Sequence, residues 1–324
     1  MKKFIIKAIV FLLLILSTIF AVIYLQPVDP DKYLMVMLDK HKLLRTTPQP
    51  RVILVGDSSL AFGMDSAMIK KATGYNVVNM GLHGGLGLIY IMDELKPYLK
   101  KDDIVIFALD YTHYMGIGTG DNTLIEVTIV MPWILKYYSR ENWMPFINNI
   151  PLTFQRRLKG LFSPSREGVG HRRSGFNEYG DNIGHIGLKS DYFKGMDFIA
   201  KYVPQARELN MTRFLPDCVN KVVVDKLNWF ASYWGKRGVK VYLAYSPLLE
   251  NDRPKQEKIL RSLDSDIRKR VRIRVIGSPL SYIYPQKYFF DNEFHLNGEG
   301  RELRSRQMVE DMKSDPVLSH APGR

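Results

Sequence analysis

Short β-branched runs alternate with helical segments through much of this chain, and no other sequence feature restricts the fold as strongly. Strands are predicted at 51–56, 76–80, 103–109, 239–245 and 272–276, and helices at 64–73, 87–99, 219–236, 253–270 and 298–312. Such short apolar runs are typical of strands that are buried on both faces. The sequence therefore predicts an α/β fold with a parallel sheet covered by helices, whose functional loops lie at the carboxyl ends of the strands.

The alternation stops after Asp110 and returns near 219. We interpret residues from about 114 to 218 as an irregular insertion after the third strand, which forms a lid or a substrate platform. It carries a basic stretch, 156–173, that suits an anionic glycan, although charge runs are usually a solvated face. His171 and His185 lack the spacing of a zinc site, and we expect them at the surface.

The N-terminus predicts a membrane anchor over residues 1–25. Three lysines precede an apolar segment from Ala8 to Leu25, which at about 1.5 Å per residue reaches across a hydrocarbon core. A cleaved signal peptide normally has a shorter apolar run that ends in small residues, so we favour a retained anchor. Because basic residues stay in the cytoplasm, we expect a single-pass protein of a bacterial cytoplasmic membrane, with its globular part periplasmic or extracellular.

Composition limits the remaining choices. The chain has 324 residues and a single cysteine, Cys218, so it has no intramolecular disulfide. The net charge of +13 suits an anionic membrane surface or an acidic polymer. We expect no nucleic-acid partner, no metal and no cofactor, since no zinc spacing, nucleic-acid module or phosphate-binding loop is recognisable. We predict a stalk at 26–50, one globular domain at 51–316 and a tail at 317–324.

A serine lies where the first strand ends, in Gly56-Asp57-Ser58-Ser59. There its hydroxyl can reach the edge of the sheet while backbone N–H groups face the group that it attacks. Alternatively, Ser58 or Ser59 only caps the helix that follows.

A second block, Phe290-Asp291-Asn292-Glu293-Phe294-His295, precedes the last helix. A serine needs a base, and a neutral imidazole serves near pH 7 when an acid orients it. We therefore predict Ser58 as nucleophile, His295 as base and Asp291 as acid.

These two blocks resemble the SGNH (GDSL) hydrolase superfamily, over residues 51–110 and 219–312. The resemblance implies a three-layer α/β/α, flavodoxin-like sheet and a serine esterase or acyltransferase. It also implies that the backbone N–H groups of Ser58 and Gly81 form the oxyanion hole.

Two blocks depart from the pattern of the family. Its acid stands three residues before the histidine, where this chain has Asn292, so that Asp291 and Glu293 both remain candidates. The asparagine donor of its third block is missing from Ala108-Leu-Asp-Tyr-Thr-His113, so that Tyr111 or His113 replaces it, the enzyme is slow, or it is no enzyme. Supporting roles around the site are expected for Asp57, His83, Tyr111, His113 and Glu293.

The anchor and the resemblance together suggest an O-acyl esterase or acyltransferase that acts on a cell-envelope or exported polysaccharide through an acyl-serine intermediate. A membrane-bound acyl-donor protein is then an expected partner. Two alternatives stay open, an inactive glycan-binding or assembly protein of the same fold and a lipid esterase.

Overall fold

The computed structural model describes residues 1–116, 118–162, 168–189, 219–250, 253–319 and 321. Cys218 and Arg166, the latter a member of the basic stretch, lie outside these ranges. Much of the predicted insertion between 190 and 218 lies outside them as well.

A five-stranded parallel sheet forms the centre of the molecule. Its strands are β1 (Arg51–Gly56), β2 (Asn76–Asn79), β3 (Ile104–Leu109), β4 (Lys240–Tyr245) and β6 (Arg274–Val275). They lie in the order β2-β1-β3-β4-β6, and all neighbours are parallel. Two short strands, β5 (Leu248–Leu249) and β7 (Ile283–Tyr284), pair beside it. The predicted α/β class with a parallel sheet is confirmed.

Eleven α-helices and several short 3₁₀ turns lie in the described ranges. Helices α1 to α4 are Lys2–Tyr24, Val36–Thr46, Ser58–Gly63 and Ser66–Thr73; α5 to α8 are Leu88–Leu95, Tyr111–Met115, Thr123–Val130 and Arg140–Phe162; α9 to α11 are Lys221–Gly235, Arg253–Arg270 and Gly298–Lys313. Short 3₁₀ turns lie at Tyr33–Met35, Gly84–Leu86, Pro132–Tyr137, Arg173–Gly175, Pro279–Tyr282 and Gln286–Tyr288.

Helices cover both faces of the sheet because successive side chains of a strand point to opposite sides. Ile53 and Val105 face a core that includes side chains of α2, α5, α9 and α10. Leu54 and Ile106 face a second core that includes side chains of α4 and α11. The arrangement is compatible with a three-layer α/β/α fold.

The predicted stalk, 26–50, differs from the structure in its second half. Leu34 and Leu44 are buried in the core that β1 borders. The buried amino group of Lys40 donates a hydrogen bond of 2.7 Å to the carbonyl oxygen of Asn79. The cause is the spacing of the buried positions in α2, which lie three or four residues apart and form one face that covers the sheet.

The predicted tail is likewise packed against the domain. Leu318 and Ala321 are buried, and the N–H of Ala321 donates to the carbonyl oxygen of Thr73 at 2.8 Å. These contacts attach the chain after α11 to the end of α4.

Part of the predicted insertion is an integral piece of the domain. The N–H of Asn182 donates to the carbonyl oxygen of Ala61 at 2.8 Å, and the Asp181 carboxylate accepts the N–H of Ser66 at 2.9 Å. These bonds tie the segment 168–189 to α3 and α4, beside the carboxyl edge of the sheet.

Helix α1 is the one helix in the described ranges that is long and apolar enough to cross a membrane. Its mean hydropathy of 2.8 over an 18-residue window and its position suit either an anchor or a signal sequence. Near its end, the hydroxyl groups of Tyr24 and Thr128 are hydrogen-bonded at 2.9 Å, so α1 meets the domain at α7.

Candidate active site

The residues predicted to carry chemistry lie around the carboxyl ends of the first three strands. Ser58 follows β1, His83 follows β2 and Asp110 follows β3. Because β2, β1 and β3 are parallel neighbours, these three positions lie at one edge of the sheet. The loop that precedes α11 brings His295 to the same edge, as the contacts below show.

The turn after β1 exposes Ser58 and buries the residues on either side of it. Asp57 is the N-cap of α3, since its carboxylate accepts the N–H of Ser59 at 2.8 Å. The Ser59 hydroxyl is buried and lies 3.3 Å from the hydroxyl of Ser246. Asp57 therefore does the capping that we had considered for the serines, and Ser58 is the partly accessible hydroxyl of this turn.

His295 is held by the acid that stands four residues before it. Its Nδ1 lies 2.8 Å from Asp291 Oδ1, and because a carboxylate only accepts, this contact favours a proton on Nδ1 and an open Nε2. The carbonyl-type oxygen of Asn292 accepts the N–H of His295 at 3.1 Å, which shapes the loop. Of the two candidate acids, Asp291 is the one in contact with the base.

The imidazole of His295 stacks on Phe62, with ring centroids 4.0 Å apart and planes within 5° of parallel. Phe62 lies one helical turn after Ser58 on α3, so the two side chains share a helix face. The base is thus brought to the face that carries the serine. Among the described residues neither the Ser58 hydroxyl nor His295 Nε2 has a hydrogen-bond partner, and catalytic contacts of this kind often tighten only when substrate binds.

Two histidines of the insertion reach the site, although we expected them at the surface. His171 Nε2 lies 2.7 Å from Asp291 Oδ2. His185 is buried, and its ring lies 4.8 Å from that of Phe62 and 5.3 Å from that of Phe290. Burial and the nearby charge of His295 lower the pKa of His185 to about 4, so it is neutral near pH 7. No sequence spacing signalled these contacts, since each depends on how the insertion folds back.

The predicted oxyanion donor Gly81 is already engaged. Its N–H donates to Asn79 Oδ1 at 2.8 Å, while a Cβ at this position would lie 2.7 Å from the carbonyl oxygen of Asp57. Gly81 thus allows the loop after β2 to pack closely on the turn of Ser58. Within the described residues, the N–H groups of Ser58 and Gly84 have no acceptor.

A buried cluster of Asp57, Asp110 and His113 lies beneath the turn. Asp57 Oδ2 accepts the N–H of Asp110 at 2.8 Å and lies 3.5 Å from His113 Nε2. Burial would raise the pKa of Asp57, but its contact with His113 and its N–H donors hold that pKa below the usual range. Burial lowers the pKa of His113, but both carboxylates outweigh this and raise it. The cluster thus fixes the turn. Tyr111, which we expected as a possible substitute for the missing asparagine, donates its hydroxyl to the carbonyl oxygen of Ser246 at 3.2 Å.

Two further carboxyl groups have raised pKa values. Burial and the charge of Asp57 raise the pKa of Asp110 to about 6. Burial and the charge of Asp110 raise the pKa of Glu293 to about 7. A fraction of Glu293 is therefore protonated near neutral pH.

His83 lies at the exposed rim of the site. Its Nδ1 accepts the N–H of Gly85 at 3.0 Å, which leaves the proton of the neutral ring on Nε2. Desolvation lowers the pKa of His83, and the nearby charge of Asp121 opposes this shift. His83 thus presents Nε2–H as a hydrogen-bond donor at the rim of the site.

Two groups of side chains have donor atoms close enough for a metal ion. In each group, His171 with Asp291 and His295, and Asp57 with Asp110 and His113, the candidate ligand atoms lie within 4.8 Å of one another. Two imidazoles and one carboxylate are a donor set that zinc uses in catalytic sites. In the first group, hydrogen bonds already join Asp291 to both imidazoles, so a metal would have to replace them. In the second group, Asp57 Oδ2 already accepts the N–H of Asp110.

Comparison of the chain with protein-family models gives no match, and neither does comparison with curated proteins. The assignment of a function therefore rests on the chemistry of the residues at this edge of the sheet.

Proposed function

We propose that the protein is a serine esterase or O-acyltransferase of the SGNH type, anchored by α1 outside a bacterial cytoplasmic membrane. The observation that carries this proposal is the stack of His295 on Phe62 at 4.0 Å, which brings an imidazole held by Asp291 to the helix that begins at Ser58. A nucleophile, a base and an orienting acid are the parts that acyl transfer requires.

The proposed reaction has two steps, acylation and deacylation of Ser58. The Ser58 hydroxyl attacks the carbonyl carbon of an ester while His295 Nε2 accepts its proton, and the tetrahedral intermediate breaks the bond to the leaving oxygen, which takes that proton. Water or a sugar hydroxyl then attacks the acyl-serine with His295 as base, and Ser58 is released with its proton. Asp291 stabilises the imidazolium in both steps. We assign the binding of the oxyanion to the N–H groups of Ser58 and Gly84, which have no acceptor among the described residues.

We further propose that the acyl group is small, of the acetyl type, and that the acceptor is a polysaccharide of the cell envelope. The positive charge of the chain favours an anionic polymer as acceptor. Part of the basic stretch, however, binds other groups of the protein and not a ligand. Arg173 pairs with Asp39 at 2.7 Å, and Arg157 donates to the carbonyl oxygen of Gln26 at 3.1 Å. A membrane-bound acyl donor remains the proposed partner.

Labelling by a fluorophosphonate tests this function before any substrate is known. We expect the detergent-solubilised chain to be labelled, and Ser58→Ala and His295→Ala to abolish or strongly reduce labelling. Ser59→Ala is the matched control. Because Ser59 is buried, we expect this variant to be labelled at Ser58 like the unchanged chain. Normal labelling of Ser58→Ala would overturn the assignment of the nucleophile.

An inactive glycan-binding protein of the same fold is the second candidate. The observation that favours it is the engaged N–H of Gly81, which removes one predicted donor from the oxyanion hole. If a folded chain is not labelled and shows no turnover of acetate esters, but retains an acidic polysaccharide in affinity electrophoresis, this candidate replaces the enzyme.

A further inference from the structure

Helix α8 carries an apolar stripe that the domain does not cover. The stripe consists of Trp143, Ile147, Ile150, Phe154, Leu158 and Leu161, which follow one another at three or four residues and share one helix face. An adjacent side of α8 packs on the domain, and it buries Asn142 and Thr153.

The middle of the apolar stripe meets the candidate membrane span. Ile150 and Phe154 line an apolar groove together with Leu14 and Ile15 of α1. The two ends of the stripe stay exposed, with 52% of Ile147 and 56% of Leu161 accessible. Large contiguous apolar patches of this kind are unusual on a soluble surface. Because α8 contacts α1 along this groove, the exposed parts of the stripe lie in the same medium as this part of α1.

The depth of the contact can be estimated from α1 itself. The groove involves α1 residues from Leu14 to Ile19, which precede its last residue, Tyr24, by five to ten positions. At about 1.5 Å per residue this is roughly 8 to 15 Å along the helix axis, which matches one leaflet of a core about 30 Å thick.

Cationic side chains lie on the polar face of α8, away from the stripe, toward the C-terminal end of the helix. Arg156 and Lys159 are exposed, lie three residues apart, and pair with no acidic side chain of the described residues. A helix with one apolar face and lysine or arginine on its polar face is typical of segments that lie in the interface of an anionic bilayer.

We propose that α8 lies in the outer leaflet of the membrane that α1 crosses, with the apolar stripe among the acyl chains and Arg156 and Lys159 at anionic headgroups. This inference rests on the anchoring by α1 in the proposed function, but not on the catalytic assignment. Helix α7 separates α8 from the site, where Thr123 Oγ1 lies 3.5 Å from His83 Nδ1. The domain is thus held with its candidate site close to the membrane surface.

Depth-dependent quenching tests the proposal on the full chain. Single cysteines are introduced by Leu158→Cys and Leu161→Cys in a Cys218→Ser background, labelled with an environment-sensitive fluorophore, and reconstituted into phosphatidylglycerol-containing vesicles with nitroxide-labelled lipid. Leu12→Cys in α1 is the positive control, and Leu303→Cys, an exposed leucine of α11, is the negative control. We expect quenching at the two α8 sites to be at least about threefold stronger than at position 303.

Each outcome decides a different point. Quenching at position 12 but not at 158 or 161 would overturn the proposal while the anchor stands. Absence of quenching at position 12 would overturn the anchor and this inference together, and would leave the labelling test of Ser58 unaffected. Disulfide-linked pairs of the Leu161→Cys chain without quenching would assign the stripe to a second copy and overturn the inference as well.

Discussion

His171 Nε2 lies 2.7 Å from Asp291 Oδ2, on the carboxylate oxygen that His295 does not use. His295 Nδ1 lies 2.8 Å from the other oxygen, so one carboxylate joins two imidazoles. Burial would raise the pKa of Asp291, but the charge of His295 and the bond from His171 keep it below its usual range. Since His171 comes from the insertion, the fold of that insertion contributes to the orientation of the proposed base.

His171→Ala is expected to lower kcat/KM on a small acetate ester by about tenfold, with most of the loss in kcat. The physical reason is that a hydrogen bond to a charged group contributes about 1.5 to 3 kcal/mol, part of which other contacts recover. His171→Gln, which retains a donor, should restore part of the activity. Asp291→Asn should cost more, up to about 10⁴-fold, as in serine proteases. Unchanged kinetics of His171→Ala would show that His171 has no positioning role.

Removal of metal ions is expected to leave the activity and the labelling of Ser58 unchanged. The donor atoms of His171, Asp291 and His295 are paired by hydrogen bonds, and a serine mechanism needs no metal. Assays before and after dialysis against EDTA measure this directly. Loss of activity that zinc restores would instead favour a metal-dependent hydrolase built on the same three residues.

The sheet was predictable from sequence because its signals are local. The run 51–56 contains three β-branched residues, Gly56 ends it, and the structure buries all of it, so the strand and its edge could be predicted directly. The packing of α2 on the sheet was not predictable, because the buried positions of that helix include Lys40 and His41, which disguise its core face. Charged residues hide a buried face whenever their partners lie elsewhere in the chain.

The site was predictable only in its local parts. The contact of Asp291 with His295 spans four residues, and the sequence predicted it. His171 lies 120 residues from its partner Asp291, and no pattern could signal that contact. The same reason applies to Gly81, whose N–H was expected to face the substrate. Its actual partner, the side chain of Asn79, depends on the fine geometry of the loop and not on its composition.

The stability of the protein is expected to depend on pH through Glu293. Its pKa is raised from 4.5 to about 7 in the folded chain. Between these values the folded chain holds a proton that the unfolded chain has lost, so the free energy of unfolding should fall as the pH rises from about 4.5 through 7. The total effect is at most about 3 kcal/mol, and less where solvent reaches the carboxyl group.

Glu293→Gln should remove the contribution of this group and raise the melting temperature at pH 8 relative to the unchanged chain. Melting of both proteins in detergent at pH 5 and pH 8 measures the difference. Glu299→Gln is the matched control, because that glutamate is exposed at the start of α11. Equal pH profiles for the unchanged chain and Glu293→Gln would show that this carboxyl group titrates normally.

Gly81→Ala is expected to impair the candidate site through packing. A Cβ at this position would lie 2.7 Å from the carbonyl oxygen of Asp57 and 2.8 Å from the amide nitrogen of Ala61. Both are backbone atoms that cannot turn aside, so α3 must shift and carry Ser58 with it. We expect a loss of about 1 to 3 kcal/mol in the free energy of unfolding and slower labelling of Ser58 at a temperature where the chain is still folded. Gly160→Ala serves as control, because a Cβ there meets no atom within 4 Å. Labelling at the normal rate in Gly81→Ala would mean that the loop after β2 can move without disturbing the serine.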